Sequence, residues 1–233
     1  IHSFKRNRKI VIVMKKFKIR CSQIGNIMGK KGLGQTGLNF IDTWAKERLY
    51  NRKKEFTSKY TMKGNINEDE SIDFVSDFLN LGFIVKNEKH FENEFLTGTP
   101  DIILPDLLID VKNSWDCFTF PFFANKIPND DYFYQAQGYM ELTGINKFKL
   151  VYTLTDTPFY LIEHEFKKYC YTNGYELDDT DMLAKFVEKM TYKDIPIEKK
   201  IKIFDIEKDT NCINLIKSRV DECQQIINEK YSI

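Results

Sequence analysis

Two apolar runs separated by a Pro-Asp turn, within residues 98–114, constrain this chain more than any other feature. Residues 102–104 (Ile-Ile-Leu) and 107–111 (Leu-Leu-Ile-Asp-Val) have the length and content of buried strands. Pro105-Asp106 supplies turn chemistry between them, so the segment predicts a β-hairpin. A hairpin that only packs a core carries apolar residues on its inner face. This one carries Asp101 at its start, then Asp110 and Lys112 near its end. Residues two apart on a strand point to the same side, so Asp110 and Lys112 share a face and the turn brings Asp101 back beside them. Two carboxylates and an ammonium at the end of an apolar ribbon are costly to bury without a purpose.

The chemistry that uses such a set is metal-assisted hydrolysis of a phosphodiester. Two close carboxylates repel, and a divalent cation relieves the repulsion. Oxygen-only ligands from Asp101 and Asp110, with the Val111 backbone carbonyl as a further donor, suit Mg2+ or its substitute Mn2+ rather than zinc. Lys112 is placed to hold or deprotonate the attacking water, or to neutralise charge on the phosphate. The competing reading is a plain hairpin with solvated charges. An Asp-x-Lys alone does not exclude it; Pro100-Asp101 nine residues before Asp110, with apolar strands between, weighs against it.

The 233 residues are 42% hydrophobic and 14% aromatic, which indicates a sizeable core. Residues 14–233 read as a single domain, with a core over about 20–165 and a C-terminal helical and strand appendage over about 166–233. Residues 1–13 read as an upstream or added extension ahead of Met14-Lys15-Lys16. No apolar run approaches the ~20 residues of a membrane span, so no membrane partner is expected. The early apolar run at 10–14 is too short for a signal peptide. Five cysteines, at 21, 117, 170, 212 and 223, include no Cys-x-x-Cys pair. Reduced thiols in a cytoplasm are the expectation, with no zinc site and no iron–sulfur cluster.

A net charge of +1 hides an asymmetry. Residues 1–63 hold 17 Lys/Arg against 3 Asp/Glu, and the remainder 18 against 31. A basic front on an otherwise acidic chain predicts a surface for a polyanion, DNA or RNA; a solvated helix face is the alternative. Candidate contacts are Arg20, Lys30, Lys31 and Lys63. Lys30 and Lys31 lie in a glycine-rich loop at 29–37 that lacks the Gly-x-x-x-x-Gly-Lys-Ser/Thr pattern of a phosphate-cradling loop.

Along the chain, Ser22 can cap a short helix over 23–28, and Ile41, Trp44 and Leu49 stripe a helix over about 38–56. Ile72, Val75, Phe78 and Leu79 recur at helical spacing in a helix ending near 81. Glu68 stands one turn before that stripe, so it points toward the sheet and is a further candidate metal ligand, although an acidic first turn is ordinarily a dipole choice. Residues 83–85 and 91–97 read as strands. Trp115, in an aromatic loop after Ser114, is placed to stack on a base or to pack in the core. A helix over about 132–142 puts Gln135 and Tyr139 on one face, where an amide and a phenol can bond a phosphate, a water or a carboxylate; simple packing on the sheet is the alternative. A strand at 148–154, a mostly helical stretch at 158–192, a strand at 201–206 and an Asp209-capped helix at 210–231 complete the chain. His2, His90 and His164 are scattered and support no histidine site.

Lys63-Gly64-x-x-x-Glu68, Gly98-Thr99-Pro100-Asp101, Asp110-Val111-Lys112 and Gln135-x-x-x-Tyr139, taken in order, resemble the motifs of the PD-(D/E)XK nuclease superfamily. The likeness is to phage recombination exonucleases of the lambda-exonuclease and YqaJ type, with RecB-type nuclease domains as cousins. The resemblance implies an α/β restriction-endonuclease-like core with a mixed central sheet flanked by helices. It implies Mg2+ held by Asp101 and Asp110, water positioned or activated by Lys112, Glu68 assisting, and Gln135 and Tyr139 orienting the DNA end. It further implies hydrolysis of duplex DNA from its ends to give 5′-phosphates, in phage recombination or replication inside a bacterial cell. A single-strand annealing protein as partner and a homo-oligomeric state are family properties. A structure- or sequence-specific endonuclease of the same superfamily, and a non-catalytic DNA-binding module, are the alternatives. The chain departs from the lambda pattern in its 5′-phosphate pocket, which usually includes arginine; here Arg20 and the lysine-rich front are the candidates.

Overall fold

The computed structural model describes residues 16–55 and 57–231; the expectations for residues 1–13 and for the Met14 start lie outside them. Among the described residues seven strands form two sheets. The larger has the order β4-β5-β6-β7, from Ile102–Ile103, Leu108–Asn113, Lys147–Thr153 and Ile201–Glu207. β4 and β5 run antiparallel through the Pro105-Asp106 turn, closed by the Leu104 N–H on the Leu107 carbonyl at 2.9 Å. β5 and β6 run parallel, and β6 and β7 antiparallel, so the sheet is mixed. The smaller sheet has the order β1-β3-β2, from Ile19–Arg20, Leu96–Gly98 and Phe91–Glu92.

A parallel pair needs a crossover, and α4 (Asp130–Thr143) supplies it between β5 and β6. Asn129 caps its start by accepting the Asp131 N–H, and Gly144, in the left-handed region at φ 76°, ends it. The crossover lays α4 over one face of the sheet. Leu108 of β5 packs there with Ala136, Tyr139 and Met140 of α4, Phe148 and Leu150 of β6, and Phe204 and Ile206 of β7. The 3-10 helix Cys21–Ile27, α1 (Gly34–Leu49) and α7 (Thr210–Lys230) join the same core through Ile24, Ile27, Ile41, Trp44, Ile216 and Val220. On the opposite face, Ile109, Val111, Val151 and Ile201 meet Ile72 and Val75 of α3 (Glu68–Phe78). β5 therefore alternates between two helical layers, and Asp110 and Lys112 fall on the α4 side with Leu108.

Two glycines let the site's supports approach. A Cβ on Gly98 would meet Tyr139 Cε1 at 2.6 Å, and one on Gly138 would meet Cys21 Sγ at 2.8 Å. Bare backbone at these points allows β3 and the 3-10 helix to press against α4.

Several expected boundaries change. Ser22 does not cap the 3-10 helix, which follows Arg20 without a side-chain cap. α1 begins at Gly34 and ends at Leu49, while Phe56, the expected end, is outside the described residues. Lys63 is part of a helix of its own, α2 (Lys59–Ile66), which Ser58 and Thr61 open with a reciprocal capping box. Residues 83–85 form no strand: Phe83 is 92% exposed, and only Ile84 turns inward. The single strand expected over 91–97 is a hairpin, β2 and β3, turned by Asn93, whose side chain accepts the Phe95 and Leu96 N–H groups. The sequence alone places β7 and α7 in an appendage. β7 is the fourth strand of the central sheet, and α7 packs in its main core. α5 (Phe159–Asn173) and α6 (Thr180–Met190) fill the mostly helical stretch between, packing with Trp115 through Leu161, Ile162 and Met190. Among the described residues no helix is long and apolar enough to cross a membrane.

Candidate active site

Asp110 is 1% exposed, with its carboxylate under α4. Gln135 Nε2 donates to its Oδ1 at 3.1 Å, and the Lys112 ammonium lies 2.6 Å from its Oδ2. Among the described residues no other donor reaches that buried oxygen. Gln135 Nε2 also lies 3.2 Å from the Tyr139 hydroxyl, whose ring stacks on Phe148. Tyr139 and Gln135 are both buried, and Gln135 stands between the Tyr139 hydroxyl and Asp110. Burial, with the Asp110 charge adding to it, pushes the Tyr139 phenol far up and keeps it neutral.

Asp101 sits one residue before β4, and its Oδ2 accepts the Val111 N–H at 2.9 Å. A strand residue directs its N–H and C=O to the same edge, so the Val111 carbonyl leaves β5 on Asp101's side. Burial, and next the Asp110 charge, push the Asp101 carboxyl up to about 7, against the opposing pull of Lys112 and the Val111 N–H. Burial works against the Lys112 ammonium, but the Asp110 and Asp101 carboxylates outweigh it and hold Lys112 above its ordinary range. Its Nζ also lies 4.9 Å from the centroid of the Tyr132 ring, on the first turn of α4. Two acids and a lysine thus share one charged cluster that strains toward protonation of Asp101.

Glu68 begins α3, close enough for its charge to raise Asp101, and it pairs with Lys86 at 2.6 Å. Among the described residues no three His, Cys, Asp or Glu side chains form a group able to hold an ion by themselves. The donor set that could hold one is two carboxylates and a carbonyl, from Asp101, Asp110 and Val111, with Glu68 beside it. All are hard oxygens, and Asp110 Oδ2 is buried beside the Lys112 ammonium. That set fits a hard divalent cation that keeps several of its waters.

Lys63, expected at a DNA surface, lies in the interior, and Trp115 takes the packing alternative rather than the stacking one. Lys63 is fully buried, and its ammonium donates to the Trp115 carbonyl at 3.0 Å and the Thr155 carbonyl at 2.8 Å. Burial lowers its pKa to about 8. Trp115 packs with Leu161, Ile162 and Met190 and meets Tyr60 edge-on. Neither has a face to offer a nucleotide. Arg20, Lys30 and Lys31 are exposed, with Arg20 Nε donating to Gln23.

Sequence reasoning missed Lys86, Tyr132 and a buried polar mesh on the α3 side. In that mesh the Asn67 amide donates to Thr155 Oγ1 at 2.7 Å, and the Asn113 amide donates to the same oxygen at 2.6 Å and to Ser71 Oγ at 2.9 Å. It ties the α2–α3 junction, and so Glu68, to the end of β5. The one available signal was Asn113, a polar residue continuing the β5 alternation two places after Val111.

A mixed sheet whose central strand carries Asp-x-Lys, with a second Asp returned beside it by a hairpin and a Gln-bearing crossover helix behind, defines a PD-(D/E)XK-type nuclease core. No sequence-family model matches the chain, and no curated protein does. Among solved structures, a phage-related exonuclease from Haemophilus somnus 129PT is similar at 30% identity and a TM-score of 0.73, over 94% of this chain and 96% of that one. The alkaline exonuclease LHK-Exo from Laribacter hongkongensis is similar in fold at 16% identity and a TM-score of 0.63, over 91% and 89% of the two chains. LHK-Exo in complex with dAMP gives 17% and 0.62, over 92% and 93%. The chain belongs to the lambda-exonuclease-like, YqaJ-like family of phage-related exonucleases.

Proposed function

We propose that this chain is a Mg2+-dependent DNA exonuclease that hydrolyses duplex DNA from its ends to give 5′-phosphates, in phage recombination or replication. The single observation that carries this reading is the convergence of Asp101, Asp110 and Lys112 at one edge of β5. Family membership supports the nuclease class.

Asp101, Asp110 and the Val111 carbonyl would hold the cation, with Glu68 as a further ligand or a partner of its water. When bound, Mg2+ supplies positive charge to the phosphoryl oxygens and acidifies the attacking water. The chain's own groups do the rest. Gln135 fixes the rotation of the Asp110 carboxylate by holding one oxygen, which leaves the other directed at Lys112. Lys112, held charged by its acidic neighbours, is suited to orient a water and to neutralise the phosphate rather than to accept a proton. The exposed cations Arg20, Lys30 and Lys31 are candidates to follow the DNA backbone.

Linear duplexes labelled at the 5′ or the 3′ end, incubated with Mg2+ beside a covalently closed circle, test the proposal. Loss of label from linear DNA with the circle intact is the expected result. A cut circle would make the protein an endonuclease of the same fold.

A further inference from the structure

Lys86 has no part in the reading above, yet it is the cation next to the site's third carboxylate. Its ammonium lies 2.6 Å from Glu68 Oε2, and both side chains are partly exposed. Its position is fixed by the neighbouring residue. The Asn87 N–H donates to the Asp101 carbonyl at 2.7 Å, and the Asn87 amide donates to the Pro100 carbonyl at 2.9 Å. The chain is thus fastened to the Pro100-Asp101 backbone one residue after Lys86. The segment containing Lys86 is irregular, with Phe83 and Val85 exposed and Ile84 packed under α3. It therefore delivers an ammonium to the metal-ligand cluster without being part of either sheet.

The charge count at the site explains what such a lysine can do. Glu68, Asp101 and Asp110 carry three negative charges when ionised, against Lys86 and Lys112. A divalent cation added to that set leaves one positive charge in excess, and one DNA phosphate cancels it. Lys86 pairs with Glu68, and among the described residues no three acids form a metal-holding group. An ion pair this exposed contributes little to stability and is readily exchanged.

We propose that Lys86 is a gate on the metal site: it occupies Glu68 in the metal-free protein and exchanges that carboxylate for a DNA phosphate when the site is loaded. The inference rests on the metal-dependent nuclease reading and deepens it. Lys86 is a positioning residue for Glu68 first and a substrate contact second. The two roles move two affinities in opposite directions, which a merely structural lysine would not do.

The test is Mn2+ titration calorimetry on the metal-free full chain without DNA, in wild type, Lys86→Met and Lys86→Arg. Removing one positive charge several ångströms from a divalent ion should tighten Mn2+ binding about tenfold in Lys86→Met, while Lys86→Arg stays near wild type. Affinity for a blunt duplex in Mg2+, measured in a Lys112→Ala background that blocks cleavage, should fall severalfold with Lys86→Met. Unchanged or weaker Mn2+ binding in Lys86→Met overturns the gate, as does DNA affinity that rises with it. An Asp101→Asn control separates the two levels. If wild type binds no Mn2+ that Asp101→Asn abolishes, the nuclease metal site itself fails and the gate falls with it; if Asp101→Asn abolishes binding while Lys86→Met leaves it unchanged, only the gate fails.

Discussion

The Gln135 amide reaches across 25 residues of chain to hold Asp110 Oδ1 at 3.1 Å, and the same nitrogen lies 3.2 Å from the Tyr139 hydroxyl. Of the partners open to this helix face, a phosphate, a water or a carboxylate, the Gln135 amide takes the carboxylate of buried Asp110. Groups that orient a metal-binding carboxylate typically matter by about 10–100-fold in affinity or activity. Gln135→Leu should therefore lower the initial rate of linear-duplex degradation by about that factor. Its Mg2+ requirement should rise, and its melting temperature should stay within a few degrees of wild type.

Lys112 is the chemical complement of Asp110. Lys112→Ala should lose about 100- to 10,000-fold in cleavage rate, the range of a positioned proton-handling or charge-stabilising group. Duplex affinity should stay within a few-fold. The same change leaves Asp110 buried beside no cation, so the metal-free protein should also lose stability, on the order of 2 kcal/mol given the partial exposure of the lysine. Saturating Mg2+ should restore part of it. Urea melts with and without Mg2+ check this.

Asp101 sets a pH signature. Its carboxyl is pushed up from 3.8 to about 7 in the folded chain, first by burial and then by Asp110. Between those values the folded protein keeps a proton that the unfolded chain releases. This group's contribution to stability is therefore present at low pH and is lost as pH rises toward about 7. In EDTA, the melting temperature of wild type relative to Asp101→Asn should fall from pH 5 to pH 7.5. Mg2+ competes with that proton, so the Mg2+-induced rise in melting temperature should be larger at pH 8 than at pH 5. A metal effect that is the same at both pH values would contradict the assignment.

Lys63 predicts a purely structural phenotype. Lys63→Met removes the Lys63 donor from the Thr155 carbonyl and leaves the Trp115 carbonyl with the longer bond from the Thr157 hydroxyl at 3.4 Å, which should cost about 1–3 kcal/mol. The salt dependence of DNA binding should not change, because this lysine touches no surface. A shallower slope of log affinity against log salt would show that Lys63 does meet a phosphate.

These residues also show how far the sequence could be read. Asp101, Asp110 and Lys112 were legible because strand alternation and a Pro-Asp turn are local facts, and both carry directly into space. The Gln135–Tyr139 pair was visible as one helical face, but what it faces depends on the β5–α4–β6 crossover. Lys63 and Lys86 are the instructive contrast. One is fully buried on carbonyls 52 and 92 residues away, and the other is paired with Glu68 across 18 residues. Nothing in their neighbouring residues separates them. Apolar composition misled at Phe83 and Val85, which are exposed, since a β-rich tripeptide without a strand partner stays irregular. Periodicity shows β7 as a strand, but its place beside β6 is a pairing across 48 to 60 residues that periodicity does not encode.

The most direct test of the account is nucleotide release from linear duplex DNA by wild type and Asp110→Asn, each in Mg2+ and in EDTA. Wild type should degrade the duplex in Mg2+ alone, and Asp110→Asn, folded and close to isosteric, should release essentially nothing in either. Full-rate release by Asp110→Asn, or by wild type in EDTA, would contradict a cation held between Asp101 and Asp110 as the centre of the chemistry.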